Sequence, residues 1–155
     1  MAWMAANRLM RRGHSWSGHE RNCCLLNING REFADVAAVA GFNHLDDSRG
    51  IAVTDWDQDG DLDLWVSART APRVRLLTNQ SGGRSIAVRL VGETCNRDAV
   101  GARLELELAP SGRKLVRSLR AGEGYLAQSS KWLHFGLGES DQARLLRIRW
   151  PDGKS

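Results

Sequence analysis

Apolar and polar residues alternate along most of the chain, which is typical of β-strands with one buried face. In the first half, residues 24–28 follow this pattern, and Asn29-Gly30 directly after them is a strong hairpin-turn signal. Further short strands are predicted at residues 50–53, 62–66 and 73–77. The helix-compatible spacing at residues 34–42 covers about two turns at most.

The second half is predicted to consist of strands throughout. A Ser- and Gly-containing loop at residues 79–83 marks the boundary between the two halves. Beyond it, alternating patterns predict half-buried strands at residues 86–90, 104–108, 115–119, 133–137 and 146–150. Short strands at this spacing, without long helices, indicate an all-β fold with a small antiparallel β-sandwich or barrel in this half.

The charge is distributed unevenly. The 155 residues carry a net charge of +4, yet residues 46–63 contain seven Asp and one Arg, a net charge of −6. Residues 64–155 contain sixteen Lys or Arg and eight acids, a net charge of +8. No stretch approaches the ~20 consecutive apolar residues of a membrane-spanning helix. The dense acidic segment is the first feature that needs a chemical explanation.

Five aspartates within this acidic segment have the spacing of a calcium loop. In an Asp-x-Asp-x-Asp-Gly-Asp-x-Asp run, the side chains at positions 1, 3, 5 and 9 and the carbonyl at position 7 can converge on one cation. Gly60 at position 6 allows the sharp turn. We therefore predict a Ca²⁺ site formed by Asp55, Asp57, Asp59, Asp61 (through its carbonyl) and Asp63.

The loop differs from an EF-hand. An EF-hand has a bidentate Glu at position 12 and a helix after it, whereas position 12 here is Val66 and a strand is predicted to follow. The expected arrangement is thus a strand–loop–strand calcium site. Mg²⁺ fits less well because it keeps most of its water shell, and an acidic surface turn without metal is the alternative.

Residues 25–66 resemble one blade of an FG-GAP/VCBS-type β-propeller. The matching stretches are Leu-Leu-Asn-Ile-Asn-Gly followed by Phe-x-Asp-Val, then Ala-Gly-Phe, then Arg-Gly-Ile-Ala-Val leading into the Asp loop. The resemblance implies that this segment is a single propeller-type blade, formed as strand, calcium loop and strand. It also implies the calcium-ligand role for the same five aspartates.

Residues 85–154 are similar to the ASPIC/UnbV domain of the cartilage acidic protein-like family. Five ordered blocks carry the similarity, among them Arg-Ala-Gly-Glu-Gly-Tyr-Leu-Ala-Gln-Ser-Ser, Leu-His-Phe-Gly-Leu-Gly and Arg-Trp-Pro-Asp-Gly-Lys. The resemblance implies an exported or cell-surface protein and attaches no firm biochemical activity to the domain. Residues 1–19 nevertheless lack the apolar core of a signal peptide.

Together these patterns predict an N-terminal extension at residues 1–20, poorly ordered, an FG-GAP/VCBS-like β blade at 21–80 and an ASPIC/UnbV-like β domain at 84–155. The predicted blade packs beside the β domain. Because one blade cannot close a propeller ring, we expect a C-terminal piece of a longer protein. Missing blades or self-association would cover its edges. The alternative is a short form whose blade packs on the β domain.

The predicted function is a calcium-binding, non-catalytic module that recognises a protein or a carbohydrate. Polyanion or nucleic-acid binding by the basic half is one alternative, although nucleic acid is not favoured because stacking aromatics are few there. Another alternative is that the chain is part of a larger enzyme. The most polar turn of the β domain is a predicted recognition loop, formed by Asn96, Arg97 and Asp98.

Other constellations support catalysis or covalent cross-linking only weakly. Glu105 and Glu107 are interpreted as the solvent face of one strand, and His134 as a structural histidine with its hydrogen bonds satisfied. A triad of His134 with Ser129 and Asp98 lacks the nucleophile-elbow motif around its serine. The pairing of Cys23, Cys24 and Cys95 stays open at this point.

Overall fold

The computed structural model of the chain describes residues 2–12, 14, 20–139 and 141–155. Within them the secondary structure is mostly β, which confirms the predicted all-β class. The elements in chain order are α1 (Ala2–Arg11), β1 (Leu25–Ile28), β2 (Glu32–Asp35), β3 (Ser48–Thr54), β4 (Asp63–Ala68), β5 (Val74–Leu77), β6 (Ser85–Val88), β7 (Arg103–Ala109), β8 (Lys114–Ser118), β9 (Leu133–Gly136) and β10 (Gln142–Arg149).

The N-terminal segment contains a helix that the sequence pattern did not predict. Helix α1 is amphipathic, so its helical spacing was a signal in the sequence that the prediction missed, although Trp3, Met4 and Leu9 are exposed in the structure. The other part of the predicted poorly ordered extension, at residues 1, 13 and 15–19, lies outside the described residues. In the described part of the chain, no helix is long and apolar enough to cross a membrane.

The predicted hairpin at Asn29-Gly30 is confirmed. Strands β1 and β2 pair antiparallel from Leu25 opposite Asp35 to Ile28 opposite Glu32. Asn29 and Gly30 both have positive φ, at 54° and 71°, which a two-residue turn between right-twisted strands requires. The helix-compatible stretch that follows forms only turns, because β2 takes up its first residues.

The chain divides into two compact units. One consists of Met1–Gly50 and Val66–Arg75, and the other of Ile51–Trp65 and Leu76–Ser155. Strands β3, β4 and β5 form a sheet in that order, and each contributes residues to both units. The whole aspartate loop, between β3 and β4, belongs to the second unit.

The first unit pairs its buried carboxylates with arginines. Asp46 accepts hydrogen bonds from Arg75, and this pairing lowers the pKa of Asp46. Asp47 forms an ion pair with Arg49, and its backbone N–H donates to Thr70 Oγ1 at 3.1 Å. These partners offset the desolvation of the two charges.

The second unit contains the main hydrophobic core. Strands β10, β7 and β8 form one antiparallel sheet in that order, and β6 pairs with β9 in another. Within the described residues the strands do not close a barrel. Apolar side chains from both sheets and from their connecting segments form the core, which comprises Leu90, Ala99, Ala102, Leu104, Leu106, Leu108, Leu119, Phe135 and Leu137.

The outer face of β7 carries paired charges. Glu105 lies 3.0 Å from Lys114 and Glu107 lies 2.7 Å from Arg144, while Arg147 is within 4.0 Å of both carboxylates. Residues Leu104, Leu106 and Leu108 of β7 are buried on the opposite face, so the predicted alternation is confirmed. Several basic residues of this half are therefore already compensated by carboxylates.

The sequence left the pairing of the three cysteines open, and in the structure all three are free thiols. Cys23 is exposed, and Cys24 and Cys95 are half-buried.

Leu104 is fully buried in the main core, and its truncation tests that core. We expect Leu104→Ala to lower the free energy of unfolding by about 2–5 kcal/mol, since the lost contacts leave a cavity. Chemical denaturation measures this. The matched control is Val91→Ala, an exposed apolar residue of the same unit, which should change stability little.

Asp141 connects the turn before β10 to the turn between β7 and β8. The backbone N–H and the hydroxyl of Ser111 donate to its two carboxylate oxygens at 3.1 and 2.7 Å. These bonds, the hydroxyl bond above all, lower the pKa of Asp141. A lowered folded-state pKa stabilises the fold above the unfolded value of about 3.9, and this contribution is lost as the pH falls through the folded value.

We therefore expect Asp141→Asn to melt at a lower temperature at neutral pH and to lose less stability on acidification than the wild-type chain. Melting temperatures between neutral pH and about pH 3 measure both effects. Glu93→Gln, at an exposed position, is the control and should keep the wild-type profile. If the melting temperatures of Asp141→Asn and of the wild-type chain fall equally as the pH decreases, the proposed contribution of the Asp141 carboxylate to stability is contradicted.

Candidate metal site and adjoining cavity

Three of the five predicted ligands converge in the loop between β3 and β4. One carboxylate oxygen each of Asp55, Asp57 and Asp63 lies within 4.8 Å of the others. Within the described residues, this is the one such group of acidic, histidine or cysteine side chains. Asp63 is 1 % exposed, Asp55 is half-buried and Asp57 is exposed, so the group runs from the interior to the surface.

Asp63 is the buried anchor of the loop. Its Oδ2 accepts a hydrogen bond from the Trp56 backbone N–H at 2.9 Å, and its Oδ1 accepts one from Asn79 N–H at 2.8 Å. The carboxylate thus ties the first residues of the loop and the segment after β5 to the start of β4. Each carboxylate oxygen has a second lone pair that remains available for a cation.

Asp55 has one oxygen that the protein leaves without a partner. Its Oδ2 accepts from the Gly60 N–H at 3.1 Å, whereas Oδ1 is buried and has no hydrogen-bond partner. A buried carboxylate oxygen without a partner carries an uncompensated desolvation cost. A bound cation or a hydrogen-bond donor at this position would remove it.

Asp57 completes the group from the solvent side. Its Oδ1 accepts a weak hydrogen bond from the Asp59 N–H at 3.4 Å. Desolvation and then the negative charge of Asp59 raise the pKa of Asp57, and the charge of Asp63 adds to this. The charges of Asp59 and Asp63 therefore disfavour the ionisation of Asp57.

The carboxylates of Asp59 and Asp61 are not part of the converging group. Asp59 Oδ1 accepts from the Asp61 N–H at 2.9 Å, which closes the turn inside the loop. Asp61 Oδ2 accepts from the Gly82 N–H at 2.7 Å and from the Ser81 hydroxyl at 3.3 Å. Asp61 was predicted to act through its carbonyl, and that role stays a prediction, while its side chain holds the neighbouring loop at residues 79–83.

A cavity of about 450 Å³ adjoins the aspartate loop within the second unit. His134 of β9 lines it, is 9 % exposed and has an Nδ1 without a hydrogen-bond partner, so the prediction of a satisfied histidine is wrong. Sequence spacing held no signal for the cavity, because its residues come from three separate segments. The lining residues are Thr54, Asp55, Gln58, Ala87, Ser130, Trp132 and His134.

The predicted recognition loop is shaped by its asparagine. Both ends of the Asn96 side chain bond the backbone of Val100, with Nδ2 donating at 2.9 Å and Oδ1 accepting at 2.7 Å. Arg97 and Asp98 are exposed. Asn96 therefore closes the turn, and the two charged side chains remain the available part of the predicted loop.

The C-terminal part of the chain carries a known domain type. Residues 92–155 match the family model described as ASPIC and UnbV. Most of the main core and the strands β7 to β10 lie within this match.

The chain is also homologous to cartilage acidic protein 1. It is 38% identical over 113 residues to cartilage acidic protein 1 of Xenopus tropicalis, covering 70% of this chain and 17% of that protein. The Homo sapiens protein of the same name is 37% identical over 108 residues, with 68% and 16% covered. The chain thus spans less than a fifth of these curated relatives, and the similarity extends N-terminally beyond residue 92.

Gly60 is required by the geometry of the aspartate loop. Its φ is +96°, its carbonyl accepts from the Ser85 hydroxyl at 2.8 Å, and an added Cβ would lie 2.8 Å from the same Ser85 Oγ. We expect Gly60→Ala to destabilise the chain by about 1–3 kcal/mol through backbone strain. Thermal denaturation measures this against Gly122→Ala, where nothing lies near an added Cβ.

A Gly60→Ala chain as stable as Gly122→Ala would contradict the expected backbone strain at position 60. The double variant Gly60→Ala with Ser85→Ala separates the cost of the positive φ from that of the contact between the added Cβ and Ser85 Oγ. It removes the contact with Oγ, whereas the cost of the positive φ remains.

Proposed function

We propose that the loop from Asp55 to Asp63 binds Ca²⁺ and that the chain is a calcium-stabilised, non-catalytic interaction module of an exported protein. The observation that carries the calcium proposal is the buried, partnerless Oδ1 of Asp55 beside the carboxylates of Asp57 and Asp63. A cation placed there would satisfy this oxygen and relieve the repulsion among the three carboxylates.

The donor set suits Ca²⁺ by its chemistry. All three converging side chains offer hard oxygen ligands, and Ca²⁺ accepts six to eight of these in flexible geometry. In this proposal, Asp55, Asp57 and Asp63 hold the ion with their carboxylates and Asp61 with its carbonyl. Asp59 joins them if its side chain turns away from the Asp61 N–H.

The proposed role of the ion is structural. Asp63 connects the loop to Asn79 and β4, so a cation held by Asp63 would also fix these segments. Because a folded chain binds the ion and an unfolded one does not, binding would appear as stability. For extracellular modules the dissociation constants typically lie at about 0.1–1 mM.

We further propose that residues 25–66 form a propeller-type repeat ahead of the ASPIC/UnbV domain. The β1–β2 hairpin, the Asp loop and the similarity to cartilage acidic protein 1 ahead of residue 92 support this. The exposed apolar side chains of Leu25, Leu26 and Phe33 are compatible with further repeats beside the hairpin.

We favour an interaction role over catalysis and propose that the module acts outside the cell. The name of the relatives specifies no reaction. Ser129, the serine of the conceivable triad, uses its hydroxyl oxygen to accept the Val53 N–H at 3.2 Å, and so has a structural role.

Calorimetric titration of the whole chain with CaCl₂ tests the metal site. We expect one site, and a stabilisation of about 2.7 kcal/mol at a Ca²⁺ concentration of about 100 times the dissociation constant. Asp57→Asn should weaken binding at least about tenfold, since it removes a ligand charge at an exposed position.

The matched control is Asp98→Asn, which neutralises an exposed aspartate outside the loop and should leave the titration unchanged. Asp57 is preferred to Asp63 for the test, because Asp63 also holds two backbone N–H groups. The absence of binding heat and of any Ca²⁺-dependent rise in melting temperature would refute the proposed function.

A further inference from the structure

We propose that the cavity beside the aspartate loop binds one pyranose unit of a neutral carbohydrate, with the sugar's apolar face against Trp132 and its hydroxyls toward Asp55 and His134. This inference rests on the proposed calcium site, because Asp55 serves both the ion and the cavity. It adds the chemical class of the ligand that the module recognises.

Residues from separate parts of the second unit line the cavity. Ala87 of β6 and His134 of β9 are directly opposite partners in their sheet, and the small side chain of Ala87 leaves space beside the histidine. Thr54, Asp55 and Gln58 contribute from the end of β3 and the loop. At about 450 Å³ the cavity is within the ordinary range of small-ligand sites.

Trp132 is held in place at the cavity by backbone hydrogen bonds. The Ser130 N–H donates to the Val53 carbonyl at 3.0 Å, and the Trp132 N–H donates to Ser130 Oγ at 3.2 Å. The backbone of residue 132 is therefore connected through Ser130 to β3, which leads directly into the aspartate loop. With 47 % of Trp132 exposed, its side chain offers apolar surface to a ligand.

Two cavity-lining residues each have a buried polar atom without a hydrogen-bond partner. These are Oδ1 of Asp55, which the proposed Ca²⁺ would satisfy, and Nδ1 of His134, which would still need a hydrogen-bonding ligand. A hydroxyl can donate to the carboxylate and can either donate to or accept from an imidazole nitrogen. The cavity therefore favours a polyhydroxylated ligand over an apolar one.

The local charge favours a neutral ligand. Five aspartates lie within nine residues of the loop, so an acidic ligand would meet repulsion at this edge of the cavity. Ca²⁺ takes six to eight oxygen ligands, more than the three converging carboxylates and the Asp61 carbonyl supply when each gives one oxygen. Since Asp55 belongs both to the carboxylate group and to the cavity lining, a sugar hydroxyl beside it would supply a further oxygen, and we expect the sugar binding to depend on calcium.

The test titrates the whole Ca²⁺-loaded chain with the methyl glycosides of glucose, galactose, mannose and xylose, followed by ligand-observed NMR and calorimetry. We expect at least one glycoside to bind with a millimolar dissociation constant, more weakly in EDTA. Trp132→Ala should weaken this binding at least about tenfold and leave Ca²⁺ binding unchanged, whereas Trp132→Phe should retain a measurable part. Trp3→Ala, an exposed tryptophan of the other unit, is the control.

The outcomes separate the two proposals. Ca²⁺ heat without binding of any of the four glycosides overturns the carbohydrate inference and leaves the metal site standing. Equal glycoside affinity for Trp132→Ala and wild type also overturns it. Absence of both Ca²⁺ heat and a Ca²⁺-dependent rise in melting temperature refutes the proposed function, and glycoside binding that still depends on Trp132 would then support the cavity alone.

Discussion

The hydrogen bonding of the buried Asp63 carboxylate is the interaction on which the aspartate loop and its neighbouring segments depend. Asp63 accepts backbone hydrogen bonds from Trp56 in the aspartate loop and from Asn79 after β5, and it opens strand β4. A charge that is 1 % exposed needs such partners, because desolvation without them would be costly. Once Asp63 is fixed, the loop must curve so that Asp55 and Asp57 approach it.

The aspartate loop is linked to the rest of the second unit through Gly60 and Asp61. Gly60 turns with positive φ directly beside Ser85, the first residue of β6, and Asp61 holds the loop at residues 79–83. Strand β6 in turn pairs with β9, which carries His134. The carboxylate group, the cavity and the hydrophobic core of the ASPIC/UnbV domain are therefore connected through short hydrogen-bonded steps.

Much of this fold could be predicted from the chain alone. The alternation of Leu104, Leu106 and Leu108 with Glu105 and Glu107 reports one buried face directly, because side chains along a strand alternate in direction. The Asn29-Gly30 turn was equally clear, since few residue pairs tolerate positive φ at both positions. Helix α1 was missed although its apolar residues recur at helical spacing.

The sequence by itself determined the strands, the acidic loop and the similarity to the ASPIC/UnbV domain, because each depends on residues close together along the chain. Only the tertiary structure decided which carboxylates converge and which hold neighbouring backbone, since Asp61 finds its partners at residues 81 and 82. It alone brought Trp132 and His134 beside Asp55. Such contacts arise from strand pairing between distant segments, which local spacing does not encode.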